Sequence, residues 1–254
     1  MPVALPPNPS VGYACAMTVT LCIETSTAHC SLGLAVGDRV CVRHEKLLRR
    51  HNEQVLPMLD SLYQEAGISV RETQLIGFGA GPGSFTGVRI AASVAQGIGM
   101  ATGAVVVPMA GSQILLRSAQ AAGFAAQSNG LWLTVVPSRA DAFYLALYRS
   151  GEQGEITAVQ DDRLYIATPK WLDDLLPSAN AIQGLGPRPD WLTLNIAFAA
   201  EADLELVATA MVEPVRNAYS AGLAKPAAMA LPIYVEGDSP WQKSASTNLA
   251  QPGE

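Results

Sequence analysis

The strongest constraint on this chain is one glycine-rich string, Gly79-Ala80-Gly81-Pro82-Gly83-Ser84-Phe85-Thr86-Gly87-Val88-Arg89. It lies between a short apolar run, Leu75 to Gly79, and a long segment of small residues. Four glycines let the backbone adopt positive φ and approach another group closely. A helix after the string presents its free N–H groups and positive dipole end to the loop. That arrangement can hold a phosphate or carboxylate, or it can be a plain strand-to-helix turn, and the residues leave both open. No Gly-Lys-Ser/Thr follows, so it is not a P-loop, and Gly79-x-Gly81-x-Gly83 is not the dinucleotide fingerprint. A strand, a tight loop and a helix in this order place the chain in the α/β class.

Composition narrows the class further. Of the 254 residues, 49% are hydrophobic and only 15% are charged, which excludes a disordered chain. A formal net charge of -6 argues against a broad nucleic-acid-binding face or a polybasic membrane anchor. No charged residue stands between Arg89 and Arg117. That gap is long enough to span a bilayer, but Ser93, Gln96, Gly97, Gly99, Thr102, Gly103, Pro108, Gly111, Ser112 and Gln113 interrupt it. It predicts helix, turn, buried strand, turn and helix, with no membrane span. The cysteines, Cys15, Cys22, Cys30 and Cys41, lack Cys-x-x-Cys spacing and are expected as buried thiols in a reducing cytoplasm. His29, His44 and His51 show no helical i, i+4 pairing, so no metal site is expected.

The first half has clear periodicity. Thr18 to Glu24 alternates as a strand, followed by the polar turn Glu24-Thr25-Ser26-Thr27. Ser31 to Val36 and Arg39 to Glu45 read as a hairpin across the two-residue turn Gly37-Asp38. Asn52 to Ala66 reads as an amphipathic helix that Pro57 should kink or shorten and Gly67 should stop. Ser69 to Glu72 has capping-box spacing. After the glycine string, Ala91, Ala95 and Gly99 form a small-residue stripe that suits packing on the chain's own sheet or on another chain. Val105 to Val107 is expected as a buried strand and Gly111 to Ala122 as a helix.

The second half is fainter. Ala119 to Gly130 reads as a connector, and Leu131 to Val136 with Ala142 to Tyr148 as a second hairpin. Thr168 to Leu176, Ala199 to Ala210 and Ala218 to Ala224 read as helical, Gly184 to Pro187 as a loop, and Leu231 to Glu236 as a strand. The expected division is an unstructured extension at 1–16, with Met17 as an alternative start, one lobe over 17–122 and another over 123–254.

Three of these segments together resemble the TsaB (YeaZ) family: the first strand with Glu24-Thr25-Ser26-Thr27, the helix opening His51-Asn52-Glu53-Gln54-Val55-Leu56-Pro57-Met58-Leu59, and Gly81-Pro82-Gly83-Ser84-Phe85-Thr86-Gly87-Val88-Arg89-Ile90. The similarity is dense from Met17 to about Ser118. It continues as echoes at Arg139 to Tyr148 and at Pro232-Ile233-Tyr234 with Trp241-Gln242-Lys243. The resemblance implies an actin-like/sugar-kinase (ASKHA) fold, with two related lobes of mixed sheets flanked by helices. It also implies a cytoplasmic, non-catalytic subunit in synthesis of threonylcarbamoyladenosine, the modified adenosine beside the tRNA anticodon. The implied partners are a catalytic TsaD-like paralogue and a TsaE-like ATPase, with tRNA met through the complex and a homodimer when the chain is isolated. Family pairing through the first-lobe helices implies an interface at Val55, Leu59, Leu62, Tyr63, Ala91, Ala95 and Gly99.

The same resemblance marks a nucleotide-like site at Glu24, Thr25, Ser26, Gly81, Gly83, Ser84, Thr86 and Arg139. Two departures bear on it. The family's first loop usually has Asp where this chain has Glu24, and its second hairpin usually begins Asp-Ala-Arg where this chain has Pro137-Ser138-Arg139. Losing an oxygen ligand weakens magnesium binding, so no cofactor, no metal and no catalytic residue are expected. The catalytic paralogue's metal rests on paired helical histidines, whereas Val55 occupies i+4 from His51 here. A free-standing ATPase or small kinase is the alternative. A glycoprotease is a weaker one, since Ser84 and Thr86 have no histidine within short sequence reach.

Overall fold

A computed structural model describes residues 18–48, 50–124, 130–139, 141–152, 154–175, 182–200 and 205–235. The expected extension at 1–16, Met17, Cys15, Glu236 and Trp241 to Lys243 lie outside the described residues. The first half runs β1 (Thr20–Glu24), β2 (His29–Val36), β3 (Arg39–Lys46), α1 (His51–Ala66), β4 (Leu75–Gly81), α2 (Phe85–Thr102), β5 (Val105–Ala110) and α3 (Gly111–Ala121). The second runs β6 (Leu131–Pro137), β7 (Phe143–Ser150), β8 (Ile156–Tyr165), α4 (Lys170–Leu175), β9 (Ile182–Leu185), β10 (Ala197–Ala200) and α5 (Val212–Ser220).

The strands form two five-stranded mixed sheets, ordered β3-β2-β1-β4-β5 and β10-β9-β6-β7-β8. In each, an antiparallel meander joins parallel strands: β1 pairs antiparallel with β2 and parallel with β4, and β6 pairs antiparallel with β7 and parallel with β9. The two sheets thus repeat one pattern, as two related ASKHA lobes require. β1 is buried along its whole length, as a central strand covered on both faces must be. Its alternation sorts the two faces. Leu21 and Ile23 join the core with α1 and α2, while Cys22 joins the core shared with α3, α5 and the second sheet. A third cluster, with Leu133, Val135, Leu145, Leu147 and Leu172, fills the far face of the second sheet. Among the described residues no helix is long and apolar enough to cross a membrane.

The first-half elements form where periodicity puts them, with two adjustments. α1 runs through Pro57, which is exposed, so the Glu53 carbonyl that loses its N–H partner can turn to solvent. β4 continues to Gly81 because its parallel pairing with β5 resumes after a register shift between Gly79 and Gly81.

The second half differs more. β8 is a ten-residue strand with a largely exposed face, so its charges masked it. Gly184 lies in β9 rather than a loop, where its missing side chain leaves room for the Phe198 ring. The Ala-rich stretch read as helix from Ala199 begins inside β10, and α5 starts at Val212 and overlaps the expected helix Ala218 to Ala224 only at 218–220. Alanine propensity is a weak prior that sheet pairing overrides. Among the described residues, Leu231 to Val235 forms no strand. Ile233 makes one backbone bond, donating to Ala80 O at 2.8 Å.

Residues 205–235 do not stay with the second sheet. Arg216 reaches the first strand's surroundings, donating to Thr20 Oγ1 (3.3 Å), Thr18 O (3.1 Å) and Gly37 O (3.0 Å). Lys225 bridges to Val106. A boundary at residues 122 and 123 separates the two sheets, but this returning segment packs on the first of them.

The two halves also meet at a buried polar knot. Ser112, in the first turn of α3, donates to Asp162 Oδ2 of β8 at 2.5 Å, and Tyr148 OH of β7 lies 2.7 Å from the Ser112 hydroxyl. Asp162 Oδ1 has no hydrogen-bond partner. Burial pushes the Asp162 carboxyl from 3.8 up to about 6, against the smaller opposing effect of the Ser112 bond. A raised folded-state value means that the stability is present below the unfolded value of 3.8 and lost as pH rises through about 6. Asp162→Asn keeps an acceptor for Ser112 and removes the charge, so it should stabilise the chain at pH 7.5 by roughly 2 kcal/mol. In thermal unfolding the gain should vanish near pH 4. A less stable variant at pH 7.5 would show that the buried charge is needed.

Candidate functional site

The two sheets flank a cleft of ≈ 690 Å³. Its floor comes from the β1–β2 loop (Ser26, Thr27, Ala28), one wall from Leu48, His51 and Asn52 at the start of α1, and another from Ser84, Thr86, Gly87 and Ile90. Val136, Pro137 and Ser138 from the second hairpin close it.

Local contacts explain why the glycine string folds as it does. Thr25 Oγ1 donates to Gly87 O at 2.7 Å, and Ser84 N donates to Ser26 O at 2.8 Å. A Cβ on Gly87 would collide with the Thr25 carbonyl oxygen, and one on Gly83 with the Ser26 side chain. Glycine is therefore needed for close approach of two loops. Ser84 caps α2, its hydroxyl accepting from Gly87 N at 3.3 Å. The string is a strand-to-helix turn latched onto the neighbouring loop.

Glu24 does not reach the cleft. Its carboxyl is fully buried, Oε1 accepts from Ser26 N at 2.5 Å, and the other oxygen lies where a side chain on Gly79 would stand. Glu24 Oε2 has no partner, and burial raises the pKa of the group, with the Ser26 contacts pulling the other way. An enclosed carboxyl that does not line the cleft is poorly placed to hold a cation there. The matching position of the second hairpin is Pro137, with no acid, and Arg139 is exposed and does not line the cleft. Among the described lining residues there is no Asp or Glu. Ser26 Oγ and His51 Nε2 are buried polar atoms at the cleft without hydrogen-bond partners. Of the expected loop residues, the fold brings Ser26, Ser84 and Thr86 to the cleft, uses Thr25, Gly81 and Gly83 in the latch and turn, and separates Glu24 and Arg139 from it.

The expected interface residues are also redistributed. Val55, Leu59, Leu62, Tyr63, Ala91 and Ala95 are all buried in the chain's own first-lobe core. Gly99 is buried too, and a Cβ there would crowd Ala227. The small-residue stripe thus packs inward. The outer faces of the same helices form a groove of ≈ 360 Å³ that includes Leu56, Phe85, Arg89, Ile90, Ser93 and Val94. Leu56 is 62% exposed and Phe85 50%, too much for core positions. Arg89 caps the groove, its guanidinium 3.2 Å from the Phe85 ring centroid and donating to Tyr234 OH at 2.7 Å. Of the expected interface residues, Val55 also lines this groove, while the others pack inward. The exposed apolar Leu56, breaking the polar side of α1, was the available signal.

Two of the histidines come together through strand pairing. No helical pair exists, yet His29 and His44 meet on adjacent strands beside Glu205. Their rings stack with centroids 5.2 Å apart and planes 8° from parallel.

Residues 42–182 match the family described as "TsaD: tRNA N6-adenosine threonylcarbamoyltransferase". The chain is 36% identical over 136 residues to "tRNA threonylcarbamoyladenosine biosynthesis protein TsaB" of Escherichia coli (strain K12), covering 53% of this chain and 56% of that protein. It is 33% identical over 99 residues to the protein of the same name from Haemophilus influenzae, covering 39% and 42%. The matches thus span about half the length of these curated relatives. A solved structure described as "YeaZ from Pseudomonas aeruginosa" superposes with a TM-score of 0.73 at 27% identity, covering 86% of this chain and all of that one.

The latch makes opposite forecasts for two glycines of α2. Gly87→Ala forces a collision with backbone and should cost about 2–3 kcal/mol or prevent folding. Gly97 is exposed with open space at its Cβ position, so Gly97→Ala should stabilise by roughly 0.5–1 kcal/mol. Denaturant unfolding checks both, and a neutral Gly87→Ala would contradict the latch.

Proposed function

The chain belongs to the TsaB (YeaZ) family, and from that premise we propose that it serves in tRNA threonylcarbamoyladenosine biosynthesis as a non-catalytic partner of a TsaD-like subunit. The observation that carries the non-catalytic part is the cleft. The fold's two loop positions that would offer carboxylates hold an enclosed Glu24 and Pro137. Phosphoryl chemistry depends on oxygen ligands that hold a divalent ion against the phosphates, and neither position supplies one. What the chain does offer is surface. The groove between α1 and α2 is a concave apolar strip on rigid helices, with Leu56 and Phe85 as side chains a partner could cover. In this proposal the TsaD-like subunit docks there, a TsaE-like ATPase joins the pair, and tRNA is contacted mainly by those partners. The net charge of -6 supports that last point. The same groove gives a homodimer when the chain is alone, and the setting is cytoplasmic.

Two measurements test the proposal. A Leu56→Glu/Ser93→Glu double variant changes only exposed side chains, so its thermal unfolding should match the parent chain. It should no longer co-elute with the TsaD-like partner in size-exclusion chromatography. An intact complex would remove the groove from the proposal. Titration calorimetry of the isolated chain with Mg-ATP should give no saturable heat. Tight binding with turnover would favour a free-standing ATPase instead.

A further inference from the structure

We propose that His29, His44 and Glu205 form a site for a divalent transition-metal ion, best matched to Zn²⁺, on the far side of the first hairpin from α1. The set is assembled by strand register. His44 of β3 pairs with Ser31 of β2, and His29 lies two residues before Ser31, so both imidazoles rise on one face of the hairpin. That face receives the returning segment, with Ala208 N donating to Ser31 Oγ at 2.9 Å and Ala208 packing over Gly33. The opposite face, carrying Cys30, Leu32 and Leu34, belongs to the core under α1.

Glu205 stands at the near end of that segment and serves both rings. Its Oε1 lies 3.0 Å from His29 Nε2, and its Oε2 contacts His44 Nε2. One nitrogen from each ring and one carboxylate oxygen lie within 4.8 Å of one another. Zinc bonds of about 2.0–2.1 Å in a tetrahedron put neighbouring ligand atoms about 3.3 Å apart, so small side-chain rotations bring this set to bonding distance. Two imidazoles and one carboxylate are a borderline-soft donor set that suits Zn²⁺ over Mg²⁺ or Ca²⁺. The side chains are 17%, 25% and 40% exposed, which leaves an entry path and a fourth position for water. This set differs in kind from a paired-histidine helix, because its ligands come from two strands and a segment about 160 residues further on. A bound ion would clip the returning segment to the hairpin.

The test uses the tag-free full chain, stripped with chelator and re-exposed to Zn²⁺. Mass spectrometry of the metal content should find one zinc per chain, and the Tm should rise with added Zn²⁺. His44→Gln and Glu205→Gln should each weaken zinc binding by more than about tenfold while leaving the metal-free far-ultraviolet spectrum unchanged. Zn²⁺ should also protect His29 and His44 of the unaltered chain from diethyl pyrocarbonate, mapped by peptide mass, which needs no variant to fold. No retained zinc, zinc retained equally by a His44→Gln/Glu205→Gln double variant, or unprotected histidines would overturn the site and leave a hydrogen-bonded His–Glu–His contact.

Discussion

The loop-on-loop latch between Thr25 and Gly87 is the contact on which the first lobe's geometry rests. The Thr25 hydroxyl bonds the Gly87 carbonyl, while the Thr25 carbonyl occupies the space where any larger residue at 87 would put its Cβ. Ser84 completes it by bonding Ser26 through its backbone and capping α2 through its side chain. Because α2 begins at this latch, its direction along the sheet follows from it, and so does the inward turn of Ala91 and Ala95. Small residues there let the helix lie close on β4 with little cavity. The same latch fixes the floor and one wall of the cleft between the sheets.

The cleft between the sheets has no Asp or Glu among its described lining residues. Glu24 is enclosed beside Gly79, so burial disfavours its charge against the opposing bond from Ser26 N, and its Oε2 is left without a partner. Pro137 removes the acid from the second hairpin without disturbing the strand, since it pairs with Phe143 at the end of β6. The polar investment lies instead at the junction of the halves, in Ser112, Tyr148 and Asp162, and in the returning segment anchored by Arg216. A chain with only 15% charge places much of it where it ties elements together, and leaves an apolar groove uncovered on its outer helices.

Much of this was legible in the sequence, and the residues show why the rest was not. The turn Gly37-Asp38 determines the β2–β3 register, and that register alone puts His44 opposite Ser31 and beside His29. Helical i, i+4 spacing does not describe side chains brought together by strand pairing. Glu205 could not be foreseen, because it depends on how a distant segment returns. Ala91, Ala95 and Gly99 satisfy the pattern for contact with a sheet and with a partner equally, so only tertiary packing separates the two. β8 was hidden by Asp161, Asp162 and Arg163 on a strand with much of its surface exposed, and β10 by alanines that favour helix when nothing pairs with them. The enclosure of Glu24 depends on Gly79, which β1–β4 pairing brings beside it from 55 positions away.

The central claim is that the chain acts through its helical surface and not through its cleft. The direct measurement is the threonylcarbamoyladenosine content of tRNA, read by nucleoside mass spectrometry, in cells whose own copy is replaced. A chain with the cleft obstructed by Ser138→Trp should restore the modification as well as the unaltered chain does. Loss of the modification with a folded, partner-bound Ser138→Trp chain would contradict the account, because it would place the function in the cleft.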